Sequence, residues 1–267
     1  MALLKQQFRS DWRTILGWSL VMAGLTWYLA SMYWVFERSG MLVELERLIR
    51  EMPPSVQALM GGQGIFSMGT FEGYIEQVVY SGFVQLLLAI YVCIYVPSLI
   101  SREVEQRSVE FLLSMPLQRR SLVVSRWSGF VVQVLLVCLL QWVATTAVAG
   151  EASKPAAYLL ASLNLFLVLV TVGTMALLVS VFIDDYYQSV GASVTLGIGL
   201  FFANAALAER YKAGSWTRFL IPFSHIDVHR VIGQGKTPGS DMAILAIMSL
   251  ALLSMTIVAF ERKEIAA

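Results

Sequence analysis

The sequence predicts an all-α integral membrane protein with six transmembrane helices, and three observations carry that prediction. The chain has 267 residues, 57% hydrophobic and 14% charged, about half the charge of an ordinary soluble domain. Its mean hydropathy is +0.69. The charge is also clumped. Cutting the chain at each Asp, Glu, Lys and Arg leaves six long charge-free runs, at 14–36, 77–101, 127–150, 155–183, 186–208 and 242–260. Each approaches or exceeds the ~20 apolar residues a helix needs to cross a bilayer. A soluble globular enzyme is excluded, and so is a β-barrel, whose strands alternate polar and apolar residues. Residues 1–267 read as one transmembrane domain.

Ahead of the first run, Leu4, Phe8, Trp12 and Ile15 recur at helical spacing, with Lys5, Arg9 and Arg13 on another face. A basic amphipathic helix of this kind lies in the membrane interface, so Leu4, Phe8, Arg9, Trp12 and Arg13 are its expected anchors. The run 14–36 is too long for the core of a signal peptide and is expected to be a retained helix.

With an even number of spans, both termini fall on one side. If that side is the cytoplasm, the inner segments 1–13, 102–126, 184–185 and 261–267 hold 10 Lys or Arg in 47 residues. The outer segments 37–76, 151–154 and 209–241 hold 9 in 77. The higher basic density of the short segments favours cytoplasmic termini, although the Asp184–Asp185 link contributes no base.

The outer segments have structure of their own. Met41, Leu42, Leu45, Leu48, Ile49 and Met52 share a face, so 41–52 is expected to be an amphipathic helix stopped by Pro53 and Pro54. Gly61, Gly62 and Gly64 follow before span two. In the last outer segment, the stretch 219–223 (FLIPF) is interrupted by Pro222. It reads as a short helix dipping back into the membrane, tolerable only where protein buries its broken backbone. Span five is rich in small residues, among them Gly191, Gly197 and Gly199, which permit close approach by another helix.

Chemistry is scarce. None of the six runs contains Asp, Glu, Lys, Arg or His. Ion-coupled pumps and intramembrane proteases need such groups at membrane depth, so neither is expected. Gln133, Gln141, Asn164 and Asn204 are expected to be interhelical hydrogen-bond partners. Gly233-Gln234-Gly235-Lys236-Thr237 ends like a phosphate-binding loop, but Arg230 stands where the first glycine of that motif belongs. His225 and His229 flank Asp227 at i, i+4 spacing, which could hold zinc given a third ligand. The preferred reading is the polar face of an outer-loop helix, with no metal. Cys93 and Cys138 lie inside charge-free runs, where no loops need stapling. A net charge of +1 provides no basic field for nucleic acid.

The informative segment is 102–126, REVEQRSVEFLLSMPLQRRSLVVSR, with five arginines and three glutamates. Val104, Ser108, Phe111 and Leu112 share a helical face opposite Glu103, Arg107 and Glu110. Pro116 breaks the pattern, and a second helix is expected from Arg119–Arg120 into span three. The result is a charged helical hairpin beneath the membrane.

This hairpin resembles the pattern E-x-x-x-G-T-x-E-x-L-L-x-x-P-x-x-R of ABC-type-2 exporter permeases. Glu103, Glu110, Leu112, Leu113, Pro116 and Arg119 fall in register, Ser108 takes the Thr place, and Arg107 stands where the family has Gly. The glycine-rich stretch before span two and the tail Phe260-Glu261-Arg262-Lys263-Glu264-Ile265 are similar to bacterial members, so the resemblance covers the whole chain. It implies a non-catalytic permease subunit in the bacterial plasma membrane. Such a subunit pairs with a second copy or a paralogue and is driven by separate ATPase subunits that bind the ATP and Mg²⁺. The chain itself would then need no cofactor, and its other partner would be membrane lipid. On that resemblance Glu103, Arg107, Glu110, Phe111, Leu112, Pro116 and Arg119 form the ATPase-coupling element. The competing expectation is an accessory or channel-like membrane protein that works without an ATPase. Co-purification of an ATPase separates the two.

Overall fold

The computed structural model describes residues 2–53, 69–101, 119–150, 153–207, 220–226, 228–233 and 239–263. Among these residues every regular element is helical, and six helical segments are long and apolar enough to cross a membrane.

The first helix, α1, runs from Ala2 to Ser39. At 1.5 Å per residue its 38 residues span about 57 Å, well beyond the ~30 Å of a hydrocarbon core. The amphipathic start and span one were expected as two pieces, but they form one uninterrupted helix, with the span at Ile15–Ser39. The sequence supplies no reason to break, because the first glycine is Gly17 and no proline precedes Pro53. Gly40 ends α1 with φ +71°, a left-handed conformation that costs glycine little. The expected amphipathic helix follows as α2, Met41–Glu51. Its Leu42 is buried, while Met41, Leu45 and Leu48 remain exposed.

Span two begins earlier than the charge-free run implied, at Phe71 rather than residue 77. The glutamates that cut the run lie within helical turns, and Glu72 meets Lys154 at 2.9 Å. Thr70 caps the short helix α3, Phe71–Ile75, by accepting from the Gly73 amide. A π-helical turn over Glu76–Tyr80 then leads to α4, Phe83–Tyr95, and a 3₁₀ turn closes the span over Val96–Leu99. Between the π turn and α4 the backbone carbonyl of Gln77 occupies the place a side chain on Gly82 would need.

Span three belongs to α5, Arg119–Ala149, which starts at the arginine expected to open it and ends against Gly150 at φ +56°. Span four is α6, Pro155–Phe182, with proline at its first turn, where no amide partner is needed. The Asp184–Asp185 link has two tasks. Asp185 Oδ1 accepts from the Gln188 amide at 2.7 Å, opening α7, Tyr186–Leu207, while Asp184 pairs with Lys263. Span six is α8, Gly239–Arg262.

The hub is α6. It packs against α4, α5, α7 and α8, and it is the most buried of the six spans, whereas α1 lies chiefly along α5. Lipid tails offer no hydrophobic drive between helices, so close fit and hydrogen bonds must hold them. Gly173 supplies the fit, since a Cβ there would run into the Phe130 ring and Val92. Gly197 of α7 lies against Cys93, with 2.7 Å between a Cβ and Sγ. A Cβ on Gly191 or Gly199 would meet nothing within 4 Å among the described residues, so both face away from the bundle. The small residues of span five therefore divide between internal packing and an outer face. Cys93 and Cys138 are free and buried.

Candidate functional site

Two clusters of polar contacts fasten the bundle, one at each end of α6. The first lies where the chain leaves for residues 102–118 and returns at Arg119. Glu103, Arg107, Glu110, Phe111, Leu112 and Pro116 lie outside the described residues, and Arg119 enters as the first residue of α5. The residue just before that segment is firmly held. Ser101 is fully buried, and its hydroxyl donates to the Ser180 carbonyl at 3.1 Å and the Ile183 carbonyl at 3.2 Å. The last carbonyls of a helix have no partner within it, so Ser101 satisfies the end of α6. On the other side of α6, Lys263 donates to the Val181 carbonyl at 2.6 Å and pairs with Asp184. The end of α6 is thus held by Ser101, the last described residue before 102–118, and by Lys263, the residue after span six.

The second cluster sits at the opposite end of α6. The chain over Pro222–His225 forms a 3₁₀ turn whose Pro222, Phe223 and His225 are buried. Asn164 donates to the His225 carbonyl at 3.4 Å. Asn164 lies nine residues inside α6, which places this turn about 14 Å along the helix from its start. The chain broken at Pro222 therefore packs beside α6 rather than beyond its end, and protein covers it: Phe201 meets Phe223 edge-on at 5.6 Å, and Val231 and Ile232 of the π turn His229–Gly233 are buried.

The reading of His225 as one corner of an exposed polar face needs correction. His225 is wholly buried, and its Nδ1 lies 3.0 Å from Oδ1 of Asp241, the third residue of α8. Burying either group unaccompanied would be costly, so they are buried as a pair. The His229 side chain and Asp227 lie outside the described residues. Sequence reasoning missed this pair because its members are 16 residues apart across a loop. The only signal was an aspartate just outside a span, facing a histidine next to a proline break.

The polar residues within the spans behave as expected in part. Gln133 donates to the Tyr91 hydroxyl, joining α5 to α4. Thr171 and Ser249 meet at 2.8 Å, and Thr171 also donates to the Leu245 carbonyl, joining α6 to α8. Trp127 donates to Thr174 at 2.9 Å. Gln141 differs: it is buried, and among the described residues neither side-chain amide atom has a partner. In the amphipathic start of α1, Trp12 and Arg13 are exposed, and the Arg13 guanidinium lies 5.7 Å from the centre of the Trp12 ring. Such a cation–π contact suits a residue at a lipid–water boundary. The side chains of Leu4, Phe8 and Arg9 lie outside the described residues.

Among the described residues, no group of three His, Cys, Asp or Glu side chains is placed to hold a metal ion. The arrangement is mechanical: helix ends tied to one another around a central span. In comparison with known proteins, a family model described as ABC-2 family transporter protein matches residues 6–265. No curated protein matches the chain.

Proposed function

The chain belongs to the ABC-2 transporter family, and from that premise we propose that it is the permease subunit of an ATP-driven exporter, paired with a second permease and driven by separate ATPase subunits. Its six apolar helices make it a multi-pass membrane protein, and we place both termini in the cytoplasm of a bacterial cell. In this reading the 102–118 hairpin is the coupling element. Glu103, Arg107 and Glu110 meet charged groups of the ATPase, Phe111 and Leu112 pack against it, and Pro116 and Arg119 set the angle of return into α5. The chain contributes no catalytic residue and no cofactor; nucleotide and Mg²⁺ belong to the ATPase subunits.

The observation that best supports this reading is the double fastening of the α6 end. A push on the hairpin displaces Ser101, which is bonded to the Ser180 and Ile183 carbonyls. The same helix end carries the Val181 carbonyl and Asp184, both held by Lys263 after α8. Movement at one loop is thereby shared by spans two, four and six. Such linkage is useful to a subunit that receives its energy from below and reshapes a path above.

The decisive experiment is purification of the tagged chain with its cognate ATPase, followed by subunit stoichiometry and a screen for substrate-stimulated ATP hydrolysis. A complex of two permease and two ATPase chains is expected. A chain that purifies alone and transports in vesicles without ATP overturns the proposal.

A further inference from the structure

The outward side of the α6–α8 pair carries a groove of about 750 Å³, walled by Phe182, Met255, Val258 and Ala259 and ended by Arg262 and Lys263. Its origin follows from the packing. The two helices are drawn together at Thr171, Leu245 and Ser249. Ten residues further along α6, the long side chain of Lys263 reaches across to the Val181 carbonyl. On α8 the lining recurs at i, i+4 and i+8, from Ser254 and Met255 through Val258 and Ala259 to Arg262 and Lys263, about 12 Å along the helix. The walls are apolar for that distance, and Ser254 turns its hydroxyl back to the Leu250 carbonyl. Both cations stand at one end.

We propose that this groove binds one anionic phospholipid, with an acyl chain along Met255, Val258 and Phe182 and its phosphate on Arg262. Three features favour that occupant. Phe182, Met255 and Val258 are exposed at the side of a transmembrane bundle, where an acyl chain of a lipid can lie against them. The basic end coincides with the last turn of span six, the depth at which lipid phosphates lie and at which long basic side chains place their charge. Lys263 is held by Asp184, which fixes the groove's end and assigns the headgroup to Arg262, an exposed guanidinium whose fork matches phosphate oxygens. Glu261 is not part of the lining.

The inference does not depend on an ATPase, and neither does its test. The full chain is purified in mild detergent and titrated separately with phosphatidylglycerol and phosphatidylcholine, and bound lipid is counted by native mass spectrometry. Retention of one phosphatidylglycerol per chain is expected, roughly tenfold above phosphatidylcholine, because the choline cation of the second lipid offsets the charge of the phosphate that both lipids carry. Arg262→Gln should remove that preference. Ala259→Trp and, independently, Val258→Trp should fill the groove and abolish retention, so that one misfolded variant does not decide the matter. Equal retention of the two lipids by the wild type means an ordinary lipid-facing surface and overturns the proposal. Unchanged phosphatidylglycerol binding by Arg262→Gln also overturns it. So does efficient disulfide formation between two Val258→Cys chains in native membranes, which would make a second copy the occupant.

Discussion

At the scale of single residues, the fold is held by fit and by paired polar groups rather than by apolar area, which lipid satisfies equally well. Gly173 and Gly191 are the same residue in neighbouring spans, yet their surroundings differ. A Cβ on Gly173 meets Phe130 and Val92, whereas one on Gly191 meets nothing within 4 Å among the described residues. Gly173→Ala should therefore destabilise the protein by about 1–3 kcal/mol through overpacking, and Gly191→Ala should leave the isolated chain unchanged. Thermal unfolding in detergent measures both, and equal midpoints for the two variants would contradict the packing around α6. The sequence gives no hint of this difference, because a glycine's neighbours come from other helices. The same holds for His225, whose partner Asp241 is reached only across the loop. Charge-free runs locate the spans but say nothing about ionisable groups brought to them from outside.

Individual elements differ in how openly the sequence declares them. The helix at Met41–Glu51 was legible from its spacing alone, down to the proline that follows it. Its Leu42 is buried while Met41, Leu45 and Leu48 are exposed, so only part of the apolar face packs on the chain's own core. Removing 41–52 should accordingly impair export while leaving ATPase binding intact, read by transport in vesicles beside a pull-down. Loss of the complex instead would make the segment a structural strut. The hairpin carries the sharper expectation. Glu110→Lys reverses a charge proposed to meet the ATPase, and Phe111→Ala removes a side chain whose burial is worth ~1.5–3 kcal/mol. Both should lower substrate-stimulated ATP hydrolysis far more than expression, with Glu103→Lys milder and Arg119→Glu also uncoupled. An exposed charge pair contributes only ~0–1 kcal/mol, and reversal within a desolvated contact costs more. Normal transport and normal ATPase binding in both Glu110→Lys and Phe111→Ala would reduce the hairpin to a solvated loop.

For the whole molecule, the orientation proposed above predicts a labelling pattern. Cysteines at positions 120 and 264 should react only with membrane-permeant thiol reagents, and one at position 55 with impermeant reagents. The native Cys93 and Cys138 are buried and give a low background. Labelling of position 120 from outside intact cells would invert the topology. The sequence alone determined the number of spans and, to within a few residues, the ends of most of them, because transfer into a bilayer depends on local composition and length. It also determined the family, through the hairpin motif and the match over residues 6–265. Spans two and three begin earlier than their charge-free runs, at Phe71 and Arg120, because charged residues are admitted to their first helical turns, Glu72 with a partner, Lys154, from another segment. Only the tertiary structure decided that α6 is the hub and that Ser101 and Lys263 grip its end. It alone placed His225 beside Asp241 and opened a basic-ended groove between α6 and α8. Each of these joins residues distant in the chain. A hydropathy pattern fixes which residues enter the membrane, but the identity of their neighbours is set by how six helices pack.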